Sequence, residues 1–579
     1  METKTLIFPA AFCLYGKKTV NGETFIYTPL SKKAYDGEKK LFVYDEDKDI
    51  TTEYFGDNLT YLVKRAKKQI TVTFTGDFQT KEYPSYPNAD FSGNDFYFKI
   101  NCDDSFTKAV SAFYWKNLLP QIAETSRICK KKTWQKGYVI STLDTSVYPG
   151  TYPAVDHEFH IKGRLAIGGD FDKEIVKRMM ELTALTMEKD PSGKYRVPCS
   201  VQPSGKREYY ITRYSLDKSV KAIMFPITGL IELIDSLYKY YCAEKDINTV
   251  KKLLPTIEKG MGYFYGFLTE KSSLKANVYY EDQVMKDAFT AQAQAFSSHA
   301  MGALSFLEKL VGSNNKSLFF KKLGDELKDS YVKDVPEGYW NGDRYIDYIN
   351  EDGSVHDHIH LLSNALSVIF GFNNPERDEK IAALIKENDE EFQRFPTFLA
   401  GRIQDYTPSE IGSGGPYDLA AAGRYWDWDA RYRAFTGDGE LILKQLYSVK
   451  EAAEKENWYM GERYDLNHVY YNTGKDAQKV WHGAGKYYEY PCVFADVLIT
   501  LLFGVDYSQS ADLNVRPMLK NLEFSMQSKG ISYSVSKNEF TIKNISNKNL
   551  TLDLNLTLVG GDKTSLELPA GQTFKTDLS

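Results

Sequence analysis

The sequence predicts a mainly α protein in which roughly a dozen helices stand between two β regions. Three observations carry this. The first hundred residues alternate apolar and polar side chains with period two. From about Ser105 the apolar spacing becomes helical. The last seventy or so residues return to period two. Domains are therefore expected at 1–105 (β-sandwich-like), 106–505 (helical, catalytic) and 506–579 (small β). A chain of 579 residues exceeds what a single hydrophobic core organises.

In the first region, Ile70-Thr71-Val72-Thr73-Phe74 and Phe96-Tyr97-Phe98-Lys99-Ile100 alternate. Gly, Asn, Asp and Pro fall between the runs, as turns require. In the helical region, Ile175, Met179 and Leu182 share a face, with Asp170 and Asp172 placed to cap the helix start. Ile227–Cys242 follows Pro226, and Val250–Leu268 follows that. Thr290–Val311 puts Phe296, Ala300, Leu304 and Leu307 on one stripe. Further helices are expected over Lys316–Tyr331, His360–Phe372, Glu376–Lys386, Tyr417–Thr436, Gly439–Asn457 and Ala484–Phe503. Short connections alternate with long ones rich in Gly, Tyr, Trp and His. Helices paired in this way can close into a double ring, with the long loops gathered at one end around a pocket. In the last region Leu550, Leu552, Leu554, Leu556 and Leu558 alternate with polar residues, which predicts a strand with one buried face.

Composition narrows the function. The formal net charge of -6 excludes a basic nucleic-acid groove. The chain start has no apolar run of the roughly 18 residues that a membrane span needs, and Val493–Val505 is too short and contains Asp496. No membrane partner is expected. The location is read as cytoplasmic, or exported with the signal removed. The 6 cysteines form no CxxC pair, so they read as buried thiols. Aromatic residues make up 14% of the chain, and rings of this kind can stack on the flat apolar faces of sugars.

All 8 histidines lie in or beside long aromatic loops or at helix ends, mostly with carboxylates. The segments are Val155-Asp156-His157-Glu158-Phe159-His160, Tyr280-Glu281-Asp282-Gln283, His356-Asp357-His358-Ile359-His360, Tyr425-Trp426-Asp427-Trp428-Asp429, Gly461-Glu462-Arg463-Tyr464-Asp465 and Tyr487-Tyr488-Glu489-Tyr490-Pro491. Carboxylates accept hydrogen bonds from hydroxyls, rings stack, and one acid of raised pKa protonates a leaving oxygen. In an extended segment, residues two apart share a face, so the three histidines from His356 to His360 could converge on a metal. Contacts to sugar hydroxyls or backbone are the favoured explanation. With no HExxH and no matching cysteines, no catalytic metal and no cofactor are expected.

The order of these segments resembles the (α/α)6-barrel glycosidases, in particular the group of trehalases, processing α-glucosidases and the glucosidase part of glycogen debranching enzymes. The resemblance covers roughly residues 110 to 505 and implies an (α/α)6 barrel as the catalytic domain. It implies a sugar-binding role for Asp156, where the family's usual Trp before the Asp is Val155. It implies that Asp282 is the general acid, before Gln292-Ala293-Gln294-Ala295-Phe296, with Glu281 the alternative. Glu462 is similar to the general base, and Glu489-Tyr490-Pro491 matches a trehalase segment, although the full trehalase signatures are absent.

Inverting, exo-acting hydrolysis of an oligosaccharide or glycoside is expected, with an α-glucoside-like substrate favoured. Asp282 and Glu462 are its catalytic pair, with carboxyls roughly 6.5–9.5 Å apart. The residues expected to hold the sugar are Asp156, His157, Glu158, His160, Glu281, Asp357, His358, Trp426, Asp427, Trp428, Tyr464, Asp465, His482, Tyr488 and Glu489. A polysaccharide lyase, a glycoside phosphorylase and a non-catalytic carbohydrate-binding protein remain as alternatives. The sugar, the linkage, the oligomeric state and a divalent ion in the His-rich loop stay open.

Overall fold

The computed structural model describes residues 96–119, 121–122, 139–144, 151, 156–202, 204–281, 283–413, 419, 421–464 and 483–579, apart from the side chains of Trp115 and Phe171. It also gives the backbone of strands within 2–95 and of 152–153 and 481–482.

Among the described residues the α-helices are α1 (Ser105–Phe113), α2 (His157–Ile167), α3 (Asp170–Glu188), α4 (Thr228–Glu244), α5 (Ile247–Phe264), α6 (Ala291–Leu310) and α7 (Asn314–Tyr331). They continue with α8 (Leu361–Ile369), α9 (Pro375–Glu387), α10 (Asp389–Phe392), α11 (Gly423–Thr436), α12 (Gly439–Lys455) and α13 (Glu489–Asp496). Local chemistry sets several boundaries. Thr290 accepts a hydrogen bond from the amide of Ala293 at the start of α6, Asn374 caps α9 ahead of Pro375, and Asp438 caps α12. Asp172 does not cap α3, contrary to expectation. It is buried against the Arg164 guanidinium at 2.7 Å, because an unpaired interior arginine would cost more than an open helix end.

Six helices pack in a cycle. α2 lies against α4, α4 against α6, α6 against α8, α8 against α11, α11 against α13, and α13 back against α2. The others cover this set, with α1 on α13, α3 on α2 and α4, α5 on α4, α7 on α6, α9 on α8 and α12 on α11. Every residue of α2 and of α13 is buried, as a helix enclosed on all sides requires. The two approach so closely that a Cβ on Gly163 would sit 2.6 Å from the Cys492 carbonyl oxygen.

The centre of the cycle is polar. Lys162 of α2 pairs with Glu158 at 2.5 Å and with Asp427 of α11 at 2.8 Å, and Arg431 also holds Asp427. These charges survive burial because they are paired and hydrogen-bonded.

The C-terminal strands form two sheets. Tyr97–Ile100, which the period-two reading assigned to the first β region, pairs antiparallel with Phe524–Ser528, followed by Ile531–Val535, Glu539–Asn544 and Thr573–Asp577. The second sheet holds Val505–Tyr507, Leu513–Val515, Leu550–Asn555 and Lys563–Leu568. Leu550, Leu552 and Leu554 are buried as expected, but the strand ends at Asn555 and a short 3-10 turn covers 557–559. No helix among the described residues is long and apolar enough to cross a membrane.

Candidate active site

Short strands join the helices and carry the polar residues. Ala421–Ala422, Arg463–Tyr464 and Trp481–His482 make one three-stranded piece ahead of α11 and α13. Ser200–Val201 and Arg207–Glu208 form part of another. Between them lies a cavity of about 140 Å3 whose wall includes Asp156, Glu208, Tyr280, Arg424, Glu462 and Tyr487.

Asp156 immediately precedes α2. Its Oδ1 accepts from Arg424 Nη2 at 3.0 Å and its Oδ2 from the Tyr487 hydroxyl at 2.8 Å. Arg424 lies near the start of α11 and donates through Nε to Glu489 Oε1 at 2.7 Å. Its backbone amide donates to the same oxygen at 2.9 Å. Burial alone would lower the Arg424 pKa, but the Glu489 and Asp156 carboxylates outweigh that and hold it well above its ordinary value. One buried guanidinium thus fixes the first residue of α13 and the carboxylate ahead of α2 at the same wall.

Glu462 is anchored on one side. Its amide donates to the Ala484 carbonyl at 2.9 Å, and its Oε2 accepts from the Ala484 amide at 3.0 Å. Gly483 sits at φ +96°, and a Cβ there would lie 2.5 Å from Glu462 Oε2. Only glycine gives this conformation and this clearance together. Arg463 Nη1 is 3.6 Å from Glu462 Oε1 and 3.5 Å from Glu489 Oε2. A carboxylate in a cavity wall, hydrogen-bonded at Oε2 and beside an arginine at Oε1, is a group that can take a proton from water.

The structure brings together some of the sequence-predicted residues and separates others. Asp156 and Glu462 line the cavity, with Glu489 directly behind Arg424. Glu158 lies one layer deeper, where it accepts from the Tyr280 hydroxyl at 3.1 Å. Tyr488 is buried with its ring on His160 at 3.9 Å. Tyr464 is buried and donates to Glu456 at 2.8 Å.

Trp426, Asp427 and Trp428 are interior residues of α11. The Trp426 indole donates to Gln445, Asp427 belongs to the Lys162–Arg431 cluster, and the Lys162 ammonium stands 4.1 Å over the Trp428 ring. Asp357 is near the surface, paired with Arg344 at 2.9 Å. Asp282, Asp465 and the side chain of His482 lie outside the described residues, as does the Asp282–Glu462 separation.

Glu281 turns away from the cavity that its neighbour Tyr280 lines. It accepts from Lys286 at 2.7 Å, Gln292 at 2.9 Å and His360 at 3.0 Å. Lys286 also reaches Asp347 at 2.7 Å. Burial raises the Glu281 pKa, but the Lys286 charge and the His360 hydrogen bond prevail and hold it well below the usual range. A carboxylate kept ionised in this way is poorly suited to donate a proton.

The sequence reading missed Arg424, Glu208 and Glu410. Arg424 carried a weak signal, since a basic residue at a helix start is unfavourable unless an acid meets it. His356 and His358 converge on Glu410, whereas His360 caps α8 and faces Glu281.

His157 and His160 face inward from α2. Burial pulls the His157 pKa down to about 3. Burial, then the Arg164 charge, holds His160 well below its ordinary value. Unfolded, both titrate near about 6.5. Below that pH the unfolded chain binds protons that the folded chain refuses. The contribution of His157 to stability is therefore full above about pH 6.5 and is lost as the pH falls from there toward 3, by up to roughly 1.4 kcal/mol per pH unit, and His160 acts in the same direction. Urea unfolding at about pH 7 and about pH 5 should show lower stability at the acid end, with a smaller difference in His157→Gln. Equal pH dependence in the two proteins would contradict the burial account.

No protein-family model and no curated protein matches this sequence. The chain's class is therefore defined at the level of the fold, by likeness to solved structures. One is a GH78 family rhamnosidase of Bacillus sp. GL1, 12% identical, with a TM-score of 0.51 over 94% of this chain and 50% of that one. Another is a sialidase, 11% identical, with a TM-score of 0.50 over 92% of this chain and 55% of that one. The chain spans about half the length of both, and the likeness is one of fold.

Proposed function

We propose that this protein is a glycoside hydrolase built on an (α/α)6 barrel over 106–505, flanked by β domains at 1–105 and 506–579. The six-helix cycle with its covering helices supports the barrel. The observation that carries the activity is the cavity wall, where Asp156 and Glu462 meet Arg424, Tyr280 and Tyr487. Glu462 is the general base that takes a proton from water. Asp282 is the acid that protonates the departing oxygen. Asp156, oriented by Arg424 and Tyr487, accepts hydrogen bonds from sugar hydroxyls, and aromatic rings give the sugar a stacking face. The reaction inverts the anomeric centre. The small cavity favours removal of a terminal residue over an internal cut. The names of the fold neighbours add rhamnosides and sialosides to the α-glucosides as candidate substrates.

A lyase would need a cation free to neutralise a uronate, and a phosphorylase one free to hold phosphate. Arg424 and Arg463 at this wall both face Glu489, which favours hydrolysis over either. The test is turnover on a panel of α- and β-linked aryl glycosides and natural disaccharides, with and without phosphate. Release that needs no phosphate is expected. Turnover only with phosphate, an ultraviolet-absorbing product from a uronic-acid polymer, or tight binding of a sugar without cleavage would overturn the proposal.

A further inference from the structure

Two clusters of possible metal ligands stand side by side, and they differ in one respect. In the first, Glu281, Asp347 and His360 surround the Lys286 ammonium, which lies 2.7 Å from each of the two carboxylates. The chain supplies its own cation there. In the second, His356, His358 and Glu410 bring three ligand atoms within 4.8 Å of one another. Among the described residues, the ion pairs of Glu410 are with these two imidazoles.

The geometry of the second cluster is crowded. His356 Nδ1 and His358 Nε2 both lie 2.6 Å from the same oxygen, Glu410 Oε1, and the Tyr348 hydroxyl donates to it at 3.0 Å. Three donors converge on an oxygen with two lone pairs. Meanwhile Oε2 is held separately by the amide and the hydroxyl of Thr407, both at 2.8 Å. The rings are also fixed in plane. His356 stacks on Tyr348 at 4.1 Å and His358 on Tyr406 at 3.7 Å. The far nitrogen of His356 meets the Asn350 amide at 3.0 Å. Groups behind the ligands that fix their orientation are a feature of metal sites. Both rings retain some exposure, which gives an ion a way in.

We infer that His356, His358 and Glu410 form a site for a divalent transition-metal ion of the zinc type, with the remaining position open to water. Two imidazoles and a carboxylate suit zinc and do not suit the all-oxygen preference of magnesium or calcium. Ligands at a tetrahedral zinc stand roughly 3.3 Å apart, so each nitrogen would draw back from Glu410 Oε1, now 2.6 Å away, by under about 1 Å. The imidazoles bind as neutral rings; with Nδ1 on the ion the His356 proton sits on Nε2, and the Asn350 side chain, whose Nδ2 now lies 3.0 Å from that nitrogen, turns to accept through Oδ1. The ion would tie the Tyr348–His356 hairpin to the 410–412 segment. That segment is hydrogen-bonded to Gln283 and Met285 ahead of α6, so the ion would brace the loop beside the cavity. His356, His358 and Glu410 are not among the residues that line the cavity holding Glu462.

The test uses the full chain stripped with chelator, titrated with ZnCl2 by calorimetry, and assayed for bound zinc after gel filtration. One zinc per chain and a raised melting temperature are expected. The double variant His356→Gln/His358→Gln should lose more than about 100-fold in affinity, beyond the 10–100-fold typical of outer partners. Glu410→Gln, which keeps the shape of the cluster, gives a second test that does not remove the imidazoles. Cobalt in the wild-type site should show visible bands without sulfur charge transfer. Absence of zinc binding in the wild type would mean that the imidazoles are only hydrogen-bonded to Glu410 and would overturn the inference. Wild-type zinc affinity in a folded Glu410→Gln or double variant would overturn it equally.

Discussion

Replacing Glu462 with Gln lowers glycoside turnover by about 10²–10⁴-fold and leaves the fold intact. The amide oxygen of Gln still accepts from the Ala484 amide at the position where Glu462 Oε2 does, so the local anchor is preserved. The carboxylate charge is lost, and with it the group proposed to deprotonate water. Binding of substrate should change far less than kcat, because the interaction removed is one made in the transition state. Circular dichroism and the melting temperature report the fold, and initial rates report the chemistry. Full turnover in Glu462→Gln would assign the base elsewhere in the wall.

Arg424→Met destabilises the protein by about 3–5 kcal/mol and weakens productive binding. The cost arises because one guanidinium neutralises two interior carboxylates, Asp156 and Glu489. Without it Asp156 loses its ion-pair partner and Glu489, the first residue of α13, keeps only the more distant Arg463 at 3.5 Å. Arg424→Lys recovers little, because an ammonium cannot reproduce the fork that reaches Glu489 through Nε and Asp156 through Nη2. Denaturant unfolding measures the first effect. A KM raised more than kcat is lowered, in whatever fraction folds, measures the second. A variant as stable as the wild type would show that the two carboxylates do not depend on this charge.

Much of the helical body was legible because its apolar stripes repeat over long runs. Thr290–Val311 encloses α6 to within one residue at each end, and Gly439–Asn457 starts where α12 starts. Asp156, Glu462 and Glu489 were picked out by the recurrence and order of carboxylate–aromatic segments along the chain, and the structure puts Asp156 and Glu462 in one cavity wall with Glu489 behind Arg424.

The same signal misled at Trp426-Asp427-Trp428. These residues lie within α11, where a 3.6-residue turn and an interior on every side bury them against Lys162 and Arg431. Lys162 is 265 positions away in the chain, a pairing that no local pattern reveals. The His356–His360 run held only in part, with His356 and His358 converging and His360 turned elsewhere. Period two holds only while the chain is extended, and the strand ends at His356, so His360 is free to cap α8 while Glu410 arrives from a distant loop. Arg424 was overlooked because its two partners, Glu489 and Asp156, come from other helices.

The most direct test of the central claim is proton NMR of the first product released from whichever glycoside the enzyme accepts, in phosphate-free buffer. The account predicts a reducing sugar of anomeric configuration opposite to that of the substrate, formed by the wild type and not by Glu462→Gln. A product that retains the substrate's configuration, or an unsaturated sugar, would contradict single-displacement hydrolysis at this cavity.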